Sequence, residues 1–493
     1  MLYDLVSCPH RVTMDLFADP AQRDAPNPFI QLLWEKGSLF EKQVIEGLEV
    51  PFTDLSLKAG DEKEWLTLEA IQRGDSLIYG GRLQAAGLLG DPDLLRKEGD
   101  GYVAGDIKSG SGEEGPEDHS RPKKHYAVQL ALYTDILERK GLSAGRRAFV
   151  WDIKSEEVIY DFEELQGKQN PRALWQDYQA CLAEAKLIVE QANKTLAAYS
   201  SVCKLCYWYT ACTSRLVDAN DLTLIPQLGR TRRDTLMNRF PTVRSLAESD
   251  PADFVVGKKT AFPGIGPATL EKFHVRAQLI TAGDQARPYL REPVTLPRAE
   301  LELFFDIEVD PMRDVCYLHG FIERRHRNNE TERFVPFFAD EPTAEAERRA
   351  FEAAWRYLRE RQSGVMYYYS KYERTIYRKL REKYPDVCTE DELASLFDPG
   401  RAVDLYYDVV LKATEWPTRD FSIKTLASYL GFAWRDPHPS GAASIEWFHR
   451  WIETGDATIH QRILDYNEDD CRATRVLRDG IDGLALKPKV ISL

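Results

Sequence analysis

The sequence predicts a multidomain α/β protein, and three observations support this prediction. The chain has 493 residues, enough for two to four domains, and 43% of them are hydrophobic, which is ample for packed cores. Composition divides the chain into three blocks, placed at residues 1–215, 216–285 and 286–493. The first and third blocks combine strand-like runs with amphipathic helical patterns, whereas the second indicates short helices.

Charge and cysteine content limit the class of protein. The net charge of −14 argues against a general nucleic-acid coat protein, but it leaves a nuclease open because carboxylates hold catalytic metals. Eight cysteines are too few for a disulfide framework in a chain this long, so they indicate a reducing compartment and metal or structural roles. No signal peptide and no uncharged segment of membrane-spanning length is visible. We therefore expect a cytoplasmic protein without a membrane partner.

A segment of the first block, GDPDLLRKEGDGYVAGDIKSG, predicts two strands around the turn KEGDG. Asp106 and Lys108 are two residues apart on the second strand, so their side chains leave the same face. Asp93 lies on the preceding strand and converges with them if the strands pair. Carboxylates that hold Mg²⁺ beside a lysine that orients or activates water are what phosphodiester hydrolysis requires. For Asp-x-Lys taken alone, an ordinary solvent-exposed charged face is the favoured interpretation.

The next helix, HYAVQLALYTDIL, places Gln129 and Tyr133 one turn apart. The order of acid, acid-x-lysine, then glutamine and tyrosine resembles the PD-(D/E)xK nuclease superfamily in its RecB-like branch. This resemblance implies a restriction-endonuclease-like domain over residues 1–215, with the glutamine and tyrosine lining the active site. It also implies that Glu41, on a predicted helix, is the first acid. Many relatives carry a metal-binding histidine just before this point, where this sequence has Phe40.

The stretch SVCKLCYWYTAC holds Cys203, Cys206 and Cys212. A tetrahedral zinc site or a cubane cluster needs four ligands. Some RecB-like nucleases hold a [4Fe–4S] cluster with one cysteine before the nuclease core and three after it, and this resemblance implies Cys8 as the fourth ligand. Spacing alone leaves zinc open, whereas the surrounding nuclease motifs favour iron–sulfur. The other cysteines are expected to be small buried hydrophobic residues: Cys181, Cys316, Cys388 and Cys471.

In the middle block, AFPGIGPATLEKF has a Gly-x-Gly turn before a helical pattern. It resembles a helix-hairpin-helix, in which backbone N–H groups meet a phosphate at a helix N-terminus. The turn would be formed by Gly264 and Gly266, with Lys258 and Lys259 nearby for the nucleic-acid backbone. A plain helical spacer is the alternative interpretation. The following stretch, ARPYLREPVTLPRAE, has three prolines and predicts a linker.

The third block opens with LFFDIEVD, a strand with Asp306 and Glu308 on one face inside an apolar run. Two buried carboxylates side by side repel each other unless a cation lies between them. Downstream, ILDYNEDDCRATRVL predicts a helix with Tyr466 and Asp470 one turn apart, and Asp469 is expected to be solvated. This pattern of acids and tyrosine resembles the DEDDy exonucleases of the RNase H-like fold.

In that family four acids bind two metal ions and the tyrosine orients the attacking water. The resemblance implies a middle acid after an aromatic-rich strand, and VMYYYSKYERTIYRKL offers Glu373 where aspartate is commoner. Asp404 is the second candidate, although it also fits the start of a structural helix. An RNase H-like 3′–5′ exonuclease domain is therefore expected over residues 286–493.

These resemblances together imply a Mg²⁺- or Mn²⁺-dependent nuclease with two hydrolytic centres, acting on single-stranded or ended DNA in repair, recombination or defence. RNA remains open as a substrate of the C-terminal centre. No Gly-x-x-x-x-Gly-Lys-Ser/Thr motif occurs, so a superfamily-one helicase partner would be a separate protein. Two alternatives stay open: a non-catalytic scaffold that binds nucleic acid or a helicase, and a nuclease with one active and one decayed centre.

Overall fold

The structure is a computed structural model, and it describes residues 1–115, 120–167, 170–192 and 194–486. It divides into two compact units. The first contains Met1–Ala197 and Ser201–Cys212, and the second contains Ala198–Ser200 and the chain from Thr213 onward. The predicted middle block lies in the same compact unit as the third block, and the division into three domains stays a prediction. Among the described residues, no helix has the length and apolar character needed to cross a membrane.

The first unit is a mixed α/β unit. Its helices are α1 (Leu2–Ser7), α2 (Pro9–Phe17), α3 (Pro28–Glu46), α4 (Gly60–Arg73), α5 (Lys124–Arg139), α6 (Leu174–Val189) and α7 (Tyr209–Asp218), which runs on past Cys212. Its strands are β1 (Thr53–Asp54), β2 (Leu77–Tyr79), β3 (Leu83–Ala85), β4 (Leu88–Gly90), β5 (Leu94–Glu98), β6 (Gly101–Ile107), β7 (Glu113–Glu114), β8 (Arg121–Pro122), β9 (Ser143–Trp151), β10 (Glu157–Asp161), β11 (Leu165–Gln166) and β12 (Arg172–Ala173).

The central sheet of this unit has the order β1-β2-β5-β6-β9-β10. Strands β5 and β6 pair antiparallel, as the sequence predicts, and β6 pairs parallel with β9. Every residue of β6 is buried. Helix α5 connects these two parallel strands, and its apolar face, including Val128, Ala131 and Ile136, packs into the main core. Parallel pairing of β6 and β9 requires such a crossover connection, which places α5 against the sheet.

The second unit contains the remaining elements. Its helices are α8 (Gly229–Leu236), α9 (Val243–Ala247), α10 (Pro267–Ala282), α11 (Ala344–Arg359), α12 (Lys371–Lys383), α13 (Glu390–Leu396), α14 (Leu411–Ala413), α15 (Ile423–Tyr429), α16 (Gly441–Thr454) and α17 (Ala457–Asp482). Its strands are β13 (Val255–Val256), β14 (Lys259–Thr260), β15 (Tyr289–Leu290), β16 (Leu301–Asp310), β17 (Val315–Arg325), β18 (Asn328–Phe338), β19 (Val365–Tyr368), β20 (Ala402–Asp404) and β21 (Thr414–Glu415).

The main sheet of this unit has the order β18-β17-β16-β19-β20. The first three strands pair antiparallel, and β19 and β20 continue the sheet in parallel. Side chains alternate along β16: Phe305 packs into the core on one face with α11 and α12 residues, whereas Phe304 packs into the core on the other face with α17 residues. The second face is the one that Asp306 and Glu308 share with Phe304.

The prolines between the middle and third blocks do not produce a linker without structure. Tyr289–Leu290 forms β15 and pairs antiparallel with β21, and Leu290 and Leu296 are buried. The prediction of a plain linker is wrong here, because burial of these apolar side chains outweighs the lack of a regular pattern.

Candidate active sites

An acidic group lies where α17 packs on β16 in the second unit. Asp306 and Glu308 are two residues apart on the strand, and α17 brings Asp470 to them. One carboxylate oxygen from each of the three residues lies within 4.8 Å of the others. Within the described parts of the chain, no other three His, Cys, Asp or Glu side chains come together this closely. Three carboxylates in this arrangement are suited to a hard divalent cation such as Mg²⁺ or Mn²⁺.

The close approach of α17 to the strands depends on Gly320. This glycine pairs with Asp306 across the β16–β17 ladder. A Cβ atom at Gly320 would lie 1.6 Å from Oδ1 of Asn467, so only glycine leaves room for that side chain. Asn467 in turn donates from Nδ2 to Oδ2 of Asp306 at 2.7 Å. The glycine therefore positions the helix that carries Asp470.

Burial and mutual repulsion act on the acids of this group. Burial raises the pKa of Asp306 well above its ordinary value, and the charges of Asp470 and Glu308 raise it further. Burial, followed by the charge of Asp470, raises the pKa of Glu308 to about 8. A bound divalent cation would neutralise this repulsion. The donor set and its electrostatics fit the metal that the sequence implies.

Glu373, the predicted middle acid, lies in the first turn of α12 and is buried. Burial raises its pKa to about 8, and the charge of Asp404 contributes. Its Oε2 has no hydrogen-bond partner in the described regions. The charge of Glu373 also raises the pKa of Asp306, although Glu373 lies outside the close group of three. Asp404, the second candidate, accepts bonds from the backbone N–H groups of Tyr406 and Tyr407 at 3.0 Å each and begins a helical segment.

The backbone just before Glu373 is strained. Ser370 has φ +126°, in a region that residues with a Cβ rarely adopt, and its side chain accepts from the N–H of Tyr372. The sharp turn between β19 and α12 sets where the first turn of α12 starts. It thereby sets the position of Glu373 in that first turn.

Tyr466 lies one turn before Asp470 on α17, as the helical spacing predicts, and the structure shows that it is buried. Two neighbours were not apparent from the sequence. Lys424 on α15 donates from Nζ to the hydroxyl of Tyr466 at 2.9 Å, and it lies 3.2 Å from each carboxylate oxygen of Asp470. The indole Nε1 of Trp434 donates to Oδ1 of Asp470 at 2.7 Å.

The expectation that Asp469 is solvated is wrong. This residue is buried, with 4% of its surface exposed. Its carboxylate accepts from the backbone N–H of Arg435 at 2.8 Å and from Nε of the same residue at 2.9 Å. A buried carboxylate needs partners of this kind, and Arg435 provides them. Asp469, which lies on α17, thus fixes the loop that follows Trp434 against this helix.

The predicted acids of the first unit converge around the end of β6. Asp106 lies on β6 and Asp93 directly precedes β5, so antiparallel pairing brings them together. Oδ2 of Asp93 accepts from the backbone N–H of Ile107 at 2.8 Å, and Nζ of Lys108 lies 2.8 Å from Oδ2 of Asp106. Burial, then the charge of Asp106, raises the pKa of Asp93 to about 8. Burial alone would lower the pKa of Lys108, but both carboxylates raise it overall, which keeps the ammonium charged.

Gln129 and Tyr133 on α5 face this group. Nε2 of Gln129 donates to the hydroxyl of Tyr133 at 2.8 Å. Burial raises the pKa of Tyr133, and the charge of Asp106 raises it further. Glu41 on α3 accepts from the hydroxyl of Tyr79 at 2.9 Å, and its charge contributes to the raised pKa of Asp93.

Phe40, at the position where many relatives have a histidine, packs against the smaller apolar core of the first unit. Its side chain has no metal-ligating atom. A metal predicted for this centre would therefore have to be held by the carboxylates.

The four candidate cluster cysteines are all half-buried. Cys8 separates α1 from α2, and Cys203 and Cys206 lie just before α7, which carries Cys212. Burial raises the pKa of Cys206, and Cys8 and Cys203 are close enough for their charges to raise it further.

Hydrogen bonds hold the cysteine-bearing segments together. Asp15 on α2 accepts from the hydroxyl of Tyr207 at 2.7 Å and from Nε1 of Trp208 at 2.8 Å. Asp24 accepts from the N–H of Thr210 at 2.9 Å. The segment around Cys8 and the segment from Cys203 to Cys212 thus meet, and the four-cysteine site, whether for iron–sulfur or zinc, stays a prediction.

The residues proposed to contact nucleic acid in the middle block are exposed. Lys258 and Lys259 lie at the hairpin of β13 and β14, and Gly264, with φ +74°, lies in the turn before α10. Gly266 is the N-cap of α10 and is followed by Pro267, which suits the first helical position. The turn and helix match the sequence pattern, whereas the two lysines lie on a β-hairpin.

Two parts of the chain match the sequence models of known protein superfamilies. Residues 13–213 match the sequence model of the PD-(D/E)XK nuclease superfamily, and residues 303–481 match that of the RNase H superfamily. No curated protein sequence matches the chain significantly. The matched regions contain the two acidic centres, and they indicate hydrolysis of phosphodiester bonds in nucleic acid. The predicted fold class is confirmed: this α/β chain combines a PD-(D/E)XK nuclease domain with an RNase H-like domain.

Proposed function

We propose that this protein is a metal-dependent nuclease with two hydrolytic centres, acting on single-stranded or ended DNA. The observation that carries the proposal is the group formed by Asp306, Glu308 and Asp470, with oxygens within 4.8 Å of one another and Tyr466 one helical turn away. Buried acids that raise each other's pKa are costly unless they serve a cation. Such a group beside a tyrosine fits hydrolysis better than a structural role.

In the C-terminal centre, Asp306, Glu308 and Asp470 would hold Mg²⁺ or Mn²⁺, and Glu373 would complete the set of acids. A divalent ion bound there supplies Lewis acidity at the phosphoryl oxygen and lowers the pKa of bound water. Tyr466 is buried and cannot readily ionise, because burial and the charge of Asp470 raise its pKa. Its role would therefore be to orient the attacking water by hydrogen bonding rather than to accept its proton.

In the N-terminal centre, Asp93 and Asp106 would hold the metal, and Glu41 would assist. The ammonium of Lys108, held 2.8 Å from Asp106, would orient water and stabilise the negative charge that develops on the phosphate. Gln129 and Tyr133, joined by their hydrogen bond, would line the substrate channel beside the acids.

We further propose that Cys8, Cys203, Cys206 and Cys212 hold a [4Fe–4S] cluster with a structural role. Cys8 and Cys203 are 195 residues apart, so a shared cluster would tie the beginning and end of the domain together. The exposed glycine turn before α10 and the lysines beside it would contact the nucleic-acid backbone. A superfamily-one helicase, acting as a separate protein, would supply opened strands.

A digestion assay tests the proposal. End-labelled single- and double-stranded DNA and RNA are incubated with the full chain in Mg²⁺ or Mn²⁺, using the wild type, Lys108→Ala, Asp306→Asn and the double variant. We expect each single variant to lose a different part of the cleavage pattern and the double variant to lose all of it. If all four proteins cleave no substrate in either metal, the scaffold interpretation replaces the nuclease. If the proteins cleave RNA alone, the proposed substrate is wrong, whereas the proposed hydrolysis of phosphodiester bonds stands.

A further inference from the structure

Lys424 lies against Asp470, Tyr466 and Trp434 in the C-terminal centre. It lies on α15, whose first turn is capped by Ser422 accepting from the N–H of Thr425. Its side chain is 29% exposed. The ammonium lies 4.9 Å from the ring centroid of Tyr466 and 5.5 Å from that of Trp434, within the range of cation–π attraction. A lysine held in this way differs from a mobile surface lysine.

The ammonium has three acceptor atoms of the protein within hydrogen-bond distance. Nζ lies 2.9 Å from the hydroxyl oxygen of Tyr466 and 3.2 Å from both carboxylate oxygens of Asp470. Both oxygens of Asp470 lie on one side of the ammonium, and Tyr466 is a further acceptor for it. Lys424 is therefore a partner of Asp470.

The carboxylate of Asp470 has limited capacity for further ligands. Two carboxylate oxygens offer about four lone-pair sites. Both oxygens lie 3.2 Å from Nζ of Lys424, and Nε1 of Trp434 also donates to Oδ1, at 2.7 Å. Oδ2 therefore has fewer protein partners than Oδ1 and is the oxygen better placed to bind a metal ion.

The other acids agree with a single ion. The close group has three members, and one oxygen of each lies within 4.8 Å of the other two. Glu373 lies outside this group. A second ion about 3.5–4 Å from the first would need protein ligands of its own beside Asp470. Beside that carboxylate lies the ammonium of Lys424, 3.2 Å from both oxygens.

We propose that the C-terminal centre binds one divalent ion and that the ammonium of Lys424 takes the place of the second. This inference rests on the proposed function of the same site and changes its composition from two metal ions to one metal ion and one lysine. The ammonium supplies a fixed positive charge beside Asp470 and donates to the oxygen of Tyr466. Because Lys424 donates to the hydroxyl oxygen of Tyr466, the hydroxyl proton of Tyr466 is free to be donated to a water molecule. This suits a residue that orients water.

Counting bound Mn²⁺ tests this proposal without relying on activity. The full chain carries Asp93→Asn and Asp106→Asn, which remove ligands of the N-terminal centre. The C-terminal count is the difference in bound Mn²⁺ between this background and the same background with Asp306→Asn, measured by electron paramagnetic resonance of the unbound ion. We expect one ion with Lys424 present and two with Lys424→Met.

A matched control removes a lysine elsewhere in the same unit. Lys412 is 63% exposed and pairs with Asp408 on the surface, so Lys412→Met should leave the count at one. If Lys424→Met does not fold, Lys424→Gln takes its place. The count in the background protein is informative even without a foldable variant, because two ions in the presence of Lys424 would refute the proposal.

Three outcomes distinguish the proposed role of Lys424 from its alternatives. A count that stays at one in Lys424→Met also refutes the proposal. If that variant in addition lowers the slope of log affinity for single-stranded DNA against log salt by about one, Lys424 contacts a phosphate instead. A count of zero in the background protein, with no hydrolysis, means that the proposed function has failed and not only the role of the lysine.

Discussion

Neutralising Glu308 should stabilise the metal-free protein at alkaline pH. Glu308 is 5% exposed, and burial together with Asp470 raises its pKa from the ordinary 4.5 to about 8. A carboxyl group with a raised pKa in the folded state contributes stability below the unfolded pKa, and this stability is lost as pH rises through the folded pKa. We therefore expect the metal-free C-terminal domain to lose stability between about pH 4.5 and pH 8.

The size of the effect follows from the pKa values. A rise from 4.5 to about 8 corresponds to about 5 kcal/mol of folding free energy, because one pKa unit corresponds to about 1.4 kcal/mol. In a domain of this size 1 kcal/mol changes the melting temperature by about 2–4 °C. Glu308→Gln, which keeps the shape and removes the charge, should therefore melt about 10–20 °C above the wild type at pH 8.5 in EDTA. At pH 4.5 the two proteins should melt together.

Scanning calorimetry of the full chain measures this difference. The transition of the C-terminal domain is the one whose response to Mn²⁺ is lost in Asp306→Asn, and saturating Mn²⁺ should remove the decline of the wild type with pH. Glu341→Gln, at an exposed site of the same unit, is the matched control and should leave the transition unchanged. If Glu308→Gln is no more stable than the wild type at pH 8.5 in EDTA, the reasoning from buried repulsion is wrong.

Three further predictions concern other parts of the structure. Gly320→Ala forces a Cβ into Asn467, so it should lower the free energy of unfolding by about 3 kcal/mol and weaken Mn²⁺ binding. Thermal unfolding and Mn²⁺ titration measure these two effects, and unchanged values would contradict the packing argument. Anaerobically purified protein should be brown and hold about four irons per chain, and Cys206→Ala should lose both; stoichiometric zinc in a colourless protein would exclude the cluster. Lys108→Ala, in an Asp306→Asn background, should abolish cleavage while the protein still folds, and residual cleavage at the same rate would remove the lysine from the mechanism.

Much of the C-terminal centre follows from periodicity. The spacing of Asp306 and Glu308 fixes their common face on a strand, and the spacing of Tyr466 and Asp470 fixes theirs on a helix. That the strand and the helix pack on each other was available only through the resemblance to a family. Gly320 shows why, because its need for glycine arises from Asn467, which is 147 residues further along the chain, and no local pattern encodes it.

The predictions that failed depended on partners distant in sequence. Asp469 looks like a solvated neighbour of Asp470 until Arg435 is placed beside it. The segment around Leu290 looks like a linker until β21 provides a strand to pair with. Local composition describes what a residue can do, whereas burial depends on which distant segment covers it.

Both centres place a lysine beside a metal-binding candidate carboxylate, and they differ in how visible this is in the sequence. Lys108 lies 2.8 Å from Asp106, and Lys424 lies 3.2 Å from Asp470. The first pair is two residues apart at the end of one strand, so the period of the strand alone predicts the contact. The second pair is 46 residues apart on two helices, and SIKTLASYL reads as an ordinary short helix. The same electrostatic arrangement is thus predictable where one element carries both charges and unpredictable where packing of two elements creates it.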